Sequence, residues 1–252
     1  MAIVLKSARE LVYMRAAGKI VAQTLMRLRD AVKPGVSTLE LDRLAHESVT
    51  EAGAKAAFLG YRGYPASLCA SINDEIVHGI PRRDRVLQEG DIISLDFGAI
   101  YEGYVGDSAI TVPVGQVSAE AARLLQVTEE ALEKGIAQAL PNKHLGDISA
   151  AIQAHAEAAG FSVVRKYVGH GIGRAMHERP EVPNFGQPGR GPVLRPGLVL
   201  AIEPMVNTGT YETIELDDGW TVMTADGGLS AHFEHTVAIM NGEPEVLTRR
   251  TR

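Results

Sequence analysis

The chain has a single cysteine, Cys69, in 252 residues. A lone thiol excludes an intramolecular disulfide and any site built from several thiolates, so a metal held here must take nitrogen and oxygen ligands. Aromatic side chains are scarce, at 5%, so a place where several gather carries information. A basic excess is also missing: 25 Lys and Arg stand against 31 Asp and Glu, a net charge of −6. That balance argues against a protein that coats nucleic acid or an anionic membrane. The short clusters Arg82, Arg83, Arg85 and Arg249, Arg250, Arg252 read as solvated loops. No apolar run reaches the ~18 residues of a membrane span. The five apolar residues Met1 to Leu5 are too few for a signal-peptide core. A soluble, cytoplasmic protein is expected.

What is present is a globular composition, 45% hydrophobic, long enough to bury a substantial core. Four amphipathic helices are expected: from Ser7 to about Val32, from Ser37 to Gly53, from Ser118 to about Leu140, and from an N-cap at Asp147 to Gly160. Capping boxes open the first two (Ser7 with Glu10, Ser37 with Glu40), and glycines close the second and fourth. Gly53 and Gly160 stand 107 residues apart, as do Leu87–Asp96 and Leu194–Glu203. One shared offset across several features points to an internal repeat, over roughly 7–112 and 118–240, within a single domain spanning 1–252. No linker-like stretch separates the halves.

The repeat equates Asp96 with Glu203, each closing a short apolar run that reads as a strand. Alternation places Asp96 on one face with Ser94 and Ile92, and Glu203 on one face with Ala201 and Val199, so each acid has a small neighbour beside it. The chain then returns through Gly106-Asp107-Ser108 in the first half. In the second it makes an extra hairpin around Asp217-Asp218-Gly219 before Phe233-Glu234-His235. Four carboxylates brought together in a sheet interior repel one another unless cations neutralise them. His170, in Gly-His-Gly-Ile-Gly, adds a nitrogen where the backbone can approach closely. One imidazole with four carboxylates is a hard, oxygen-rich set suited to Mn, Fe(II) or Co, with Zn possible, and two divalent ions match the charge.

On these residues the sequence resembles the type I methionine aminopeptidases of metallopeptidase family M24, over essentially the whole chain. The resemblance implies an α+β pita-bread fold, a pseudo-twofold antiparallel sheet backed by helices around a dinuclear centre. It implies that Asp96 chelates one metal, that His170 and Glu203 bind the other, and that Asp107 and Glu234 bridge both. It further implies removal of N-terminal methionine from nascent proteins and Met-peptides with a small second residue. A hydroxide held between the ions would be the nucleophile, with Glu203 shuttling its proton. His78 in Ile-Val-His-Gly and His177 in Met-His-Glu-Arg match the family's catalytic histidines, for the scissile amide and the oxyanion respectively. The remaining histidines, His46, His144, His155, His232 and His235, read as structural or solvated.

Tyr61, Tyr64, Cys69 and Trp220 match the family's methionine pocket. Phe58 stands where many members carry a smaller residue, and Met176 where an aromatic is common, so the pocket wall is expected to differ. Asn73, the Glu75 carbonyl and Ser230 match a monovalent-cation loop. The resemblance also implies a monomer, with transient ribosome contact through the clusters at Arg82 and Arg249. The rivals are an X-Pro aminopeptidase or prolidase, which shares the ligands but carries an N-terminal domain for which no space precedes Ser7, and a non-catalytic pita-bread binding protein, in which ligands would be lost. Type II methionine enzymes carry an insertion that this chain is too compact to hold.

Overall fold

The computed structural model describes residues 2–250; Met1 and Arg252, named above, lie outside them. Four helices form where capping chemistry starts them: α1 (Ala8–Ala31), α2 (Thr38–Glu51), α3 (Ala119–Ile136) and α4 (Leu145–Ala158). In α1 and α2 the serine hydroxyl takes the N3 amide, while the N3 glutamate takes the serine amide. The fourth start differs from expectation. His144 is the N-cap, and Asp147 sits at N3, where its carboxylate accepts from the His144 amide at 2.8 Å. An acid in the first turn satisfies free amides and the helix dipole as well as an acid at the cap does, so the sequence alone left the register open by three residues. Helix α3 stops at Ile136, short of Leu140, and the chain tightens through Gln138 N–H to Gly135 O and Ala139 N–H to Ile136 O.

All strand pairings are antiparallel. The first main sheet is built on a long hairpin, Ile92–Tyr101 with Tyr104–Pro113, to which Cys69–Ile72 and Lys55–Ala56 add. Its turn residues Glu102 (φ 49°) and Gly103 (φ 77°) both have positive φ, as a type I′ hairpin requires. The second main sheet runs in the order Glu245–Val246, His235–Ala238, Val199–Ile202, Gly169–Gly171, Glu178–Val182. Two three-stranded sheets complete the β structure. One pairs Ser230–His232 and Ser162–Val163 with Met205–Asn207, and the other is the Thr213–Glu215/Val222–Thr224 hairpin against Glu75–Val77. The expected extra hairpin is this last one. The helices pack their apolar faces, among them Val21, Leu25, Leu124 and Ile148, on the sheets.

Two features of this frame position the site. First, α1 lies almost against the hairpin: a Cβ on Gly106 would come 2.9 Å from the Gly18 nitrogen, and one on Gly18 would come 2.3 Å from the Leu247 carbonyl oxygen. Only glycine permits that approach, and Gly106 precedes Asp107. Second, the Tyr104–Pro113 strand is stitched to the segment 232–236 of the other half. The Thr236 hydroxyl accepts from the Asp107 amide and donates to the Asp107 carbonyl, Ser108 Oγ donates to the Glu234 carbonyl, and the Glu234 amide donates to the Ala109 carbonyl. Thr111 makes the same two-way contact with the His232 backbone.

Several features also recur at the 107-residue spacing. Helices α2 and α4 share it, as do positive-φ Gly53 and Gly160, Gly90 and Gly197, Gly35 and Asn142, and the isolated bridges Ser37↔Val86 and His144↔Val193. No helix is long and apolar enough to cross a membrane among the described residues.

Candidate metal centre

The seam between the halves carries the acids. Asp107 is buried in the hairpin strand, and Glu234 is buried just before the His235–Ala238 strand. Asp96 lies on the hairpin's other strand, and Glu203 immediately after Val199–Ile202. His170 projects from Gly169–Gly171, where glycine on either side has no room for a side chain: a Cβ at 169 would stand 2.3 Å from the Ala201 oxygen, and one at 171 would stand 2.3 Å from the Arg179 oxygen. One ligand atom each from Asp107, His170 and Glu234 lies within 4.8 Å of the others. His170 Nε2 is 3.6 Å from Glu203 Oε1. All five residues face one cavity of about 150 Å³.

Burial, and then the neighbouring acids, push the carboxyls of Asp96, Glu203 and Glu234 well above the usual range, and burial raises Asp107 to about 7. Without cations the cluster therefore holds protons. One oxygen each of Asp96, Asp107 and Glu234 is buried with no hydrogen-bond partner. Burial also lowers His170 to about 3, and its Nδ1 lies 2.9 Å from the Gly171 carbonyl. That contact places the ring proton on Nδ1 and leaves Nε2 as a lone pair directed at the acids. Unpaired buried oxygens, mutual repulsion and an aimed imidazole nitrogen are what a divalent-cation site presents before its ion is counted.

The predicted catalytic and methionine-pocket residues converge on the same cavity. Phe58, Tyr64, Cys69 and Met176 form its buried apolar side, and Trp220 stands edge-on to Tyr64 with ring centroids 5.1 Å apart. Phe58 Cε1 and Met176 Cε both come within about 3.1 Å of where a Gly98 Cβ would be, so these two side chains share one space. The buried Tyr64 hydroxyl is 3.0 Å from the carbonyls of both Leu68 and Gly79. His78 takes φ 61°, a left-handed conformation that costs a non-glycine residue of order 1–3 kcal/mol. Burial first, then His177, lowers it to about 4, so it is neutral near pH 7. His177 sits at the exposed rim; partial removal from water and the nearby Arg62 lower its pKa. Tyr61 stacks on it at 5.6 Å, and the Tyr61 hydroxyl is 2.8 Å from Nδ1. Tyr61 thus lines the cavity and also grips a catalytic candidate, a second task not visible in the sequence.

At the candidate monovalent-cation loop, the Ser230 amide donates to the Asn73 carbonyl at 2.9 Å and Ser230 Oγ is buried without a partner. The Glu75 carboxylate is engaged elsewhere, by the Ile72 amide and Arg85.

Of the basic residues expected in solvated loops, Arg82 pairs with Asp84, Arg85 with Glu75 and Arg249 with Glu133. Arg250 departs from that expectation altogether. It turns inward, with Nη1 donating to Ser108 Oγ at 2.9 Å and Nη2 lying 3.3 Å from His235 Nε2. Behind the seam it finds a hydroxyl and an imidazole that an exposed guanidinium would not meet. Two further residues were missed. Lys6 is buried and paired with Glu178, directly after His177. His232, read as bland, is buried with Nε2 3.7 Å from Glu203 Oε2. A larger cleft of about 570 Å³ lies between α1, α2 and the Arg249–Arg250 segment, away from all five candidate ligands.

The profile of metallopeptidase family M24 matches residues 12–241. The chain belongs to metallopeptidase family M24, among its methionine aminopeptidases. It is 55% identical to a methionine aminopeptidase of Clostridium acetobutylicum over 246 residues, covering 98% of each. It is 53% identical to methionine aminopeptidase 1 of Bacillus subtilis over 247 residues, covering 98% of this chain and 99% of the relative. Among solved structures, the methionine aminopeptidase of Thermotoga maritima superposes with a TM-score of 0.98 at 45% identity, covering 99% of this chain and 100% of the other. A prolidase from Pyrococcus furiosus shares the fold at TM-score 0.77 and 20% identity, covering 99% of this chain but 66% of its own. The architecture is thus the α+β pita-bread fold, and membership of a metallopeptidase family implies divalent metal ions.

Proposed function

We propose that this M24 member is a methionyl aminopeptidase that removes the N-terminal methionine of peptides and nascent proteins and favours a small second residue. It is read as one catalytic domain with an internal repeat, acting in the cytoplasm as a monomer. The observation that carries the reading is the meeting, in one small cavity, of five metal-type ligands with an apolar wall and two neutral histidines. An apolar pocket sized for one side chain, beside acids that can hold cations, selects a peptide's end rather than its middle.

Asp96, Asp107, His170, Glu203 and Glu234 would hold the metal ions; the unpaired buried oxygens and the His170 lone pair support that set. Two divalent ions (Mn, Co or Fe(II), with Zn possible), when bound, supply Lewis acidity that polarises a carbonyl and brings the pKa of water toward about 7. The chain's own residues do the rest. Phe58, Tyr64, Cys69, Met176 and Trp220 enclose the methionine side chain. Neutral His78 has one N–H to donate to the scissile amide. With the Tyr61 hydroxyl donating to Nδ1, His177 carries its proton on Nε2 and presents it to the developing oxyanion. Glu203, whose pKa burial raises, receives a proton from the attacking water and returns it to the leaving amine. Asn73, the Glu75 carbonyl and Ser230 form the candidate loop for a monovalent cation, to which Ser230 Oγ brings an unused oxygen. Ribosome contact through the clusters at Arg82 and Arg249 would be transient; both of these side chains are exposed and paired with acids.

The test is release of methionine from Met-Ala-Ser by protein reconstituted with Mn(II), Co(II) or Fe(II). If the loaded protein cleaves X-Pro peptides and leaves Met-Ala-Ser intact, the reading is wrong and the prolidase alternative stands. Failure on both substrates with metal bound would favour a binding protein.

A further inference from the structure

His232 occupies a position that its type of neighbourhood does not explain. Its side chain is 2% exposed, and neither ring nitrogen has a hydrogen-bond partner. A buried imidazole left unsatisfied is uncommon in a native protein and calls for an account. Its backbone is fixed on both sides. The amide donates to Thr111 Oγ1 at 2.8 Å, and that hydroxyl donates back to the His232 carbonyl at 2.9 Å, across the seam from the first half. Residue 232 also pairs directly with Met205, two residues after Glu203. Alternation along that strand sends the imidazole to the same side as the Glu203 carboxylate.

The result is a carboxylate flanked by two imidazoles: His170 Nε2 is 3.6 Å from Glu203 Oε1, and His232 Nε2 is 3.7 Å from Glu203 Oε2. The two rings differ in one respect. His170 has its Nδ1 committed to the Gly171 carbonyl, which leaves Nε2 without a proton. Nothing commits the His232 Nδ1, so its Nε2 is free to carry the proton. We propose that His232 is a positioning residue, whose Nε2–H holds Glu203 Oε2 in place so that Oε1 is presented to the metal beside His170. About 1 Å of side-chain movement brings the present separation to the ~2.7–2.9 Å of a charge-assisted hydrogen bond. Ligating carboxylates are commonly fixed by such an outer partner, whose loss costs about 10–100-fold in metal affinity or activity.

This inference rests on the reading of Glu203 as metal ligand and proton carrier, and its test separates the two. The metal-free wild type, His232→Gln and His232→Phe would be titrated with Mn(II) by calorimetry, and kcat and KM measured on Met-Ala-Ser. His232→Phe, with no donor, should bind Mn(II) about 10–100-fold more weakly and lose kcat with little change in KM. His232→Gln, whose amide can donate, should recover both. Equal Mn(II) affinity in all three proteins overturns the proposal, whatever the activity. If the wild type releases no methionine while His232→Phe still loses affinity, the functional reading fails and the role of His232 stands. Should His232→Phe not fold, ¹⁵N spectra of the histidines in the Zn(II)-loaded wild type decide: a proton on His232 Nε2 supports the role, and one on Nδ1 overturns it.

Discussion

The two halves of the molecule solve the same problem with different economy. In the first, Asp96 and Asp107 lie on two uninterrupted ten-residue strands joined by a tight turn. In the second, the chain between Glu203 and Glu234 leaves the main sheet, forms the Thr213–Glu215/Val222–Thr224 hairpin, and returns through Ser230–His232. The shared elements are helix starts, glycine turns and single bridges. The added ones bring Trp220 to the cavity and His232 behind Glu203. The first half therefore supplies two acids on one stiff hairpin together with Phe58, Tyr64 and Cys69 of the apolar wall, and the second closes the cavity with Met176 and Trp220.

That contrast can be broken at several levels. The largest effect is expected from Glu203→Gln, which should lower kcat by about 10²–10⁴-fold if Glu203 moves the proton; His78→Ala should cost about 10²-fold or more. Steady-state kinetics on Met-Ala-Ser reads both, and near-normal turnover in either removes that residue's role. Next in size is the response of the metal-free protein to pH. The four acids have folded pKa values raised above their unfolded values of about 4. The protonated forms therefore favour the fold. Their contribution to stability should be full below about pH 4, be lost as pH rises through about 7, where Asp107 sits, and be restored by divalent ions. Thermal unfolding of chelator-treated protein at pH 5 and pH 8, with and without Mn(II), measures it; a metal-free Tm that rises with pH contradicts the cluster.

Gly106→Ala attacks the first-half hairpin alone. Forcing a Cβ against α1 should destabilise by about 1–3 kcal/mol and reduce metal affinity through Asp107, whereas Gly219→Ala in the added hairpin should leave metal affinity unchanged. The smallest effects belong to the matched helix starts. Ser37→Ala should cost about 1 kcal/mol in denaturant unfolding, and Asp147→Ala at least as much, because its carboxylate accepts from the amides of both His144 and Gly189. A clearly smaller loss for Asp147→Ala would mean that those two contacts add nothing.

Helix starts, the hairpin and the five candidate ligands were legible because each is announced by neighbours in the chain: Ser37 by Glu40, Asp107 by its glycine, His170 by glycines on both sides. The residues that escaped notice owe their roles to partners far away in sequence. His232 sits in an ordinary strand-like run and gains meaning from Thr111 and Glu203. Arg250 looks like a solvated tail until the seam offers it Ser108, and Lys6 finds Glu178 172 residues along the chain. Helix α4 shows the other limit: acids serve equally well at the cap and one turn in, so local chemistry located the helix but not its first residue.

The stitching between Asp107–Thr111 and His232–Thr236 makes the acids a joint possession, since neither half brings enough of them to hold a pair of ions. Two separate fragments, one ending and the other beginning near Val117, would each be mute toward metal. Their ability to capture it together would report docking of the seam, with the ion acting as the rivet of a complementation assay.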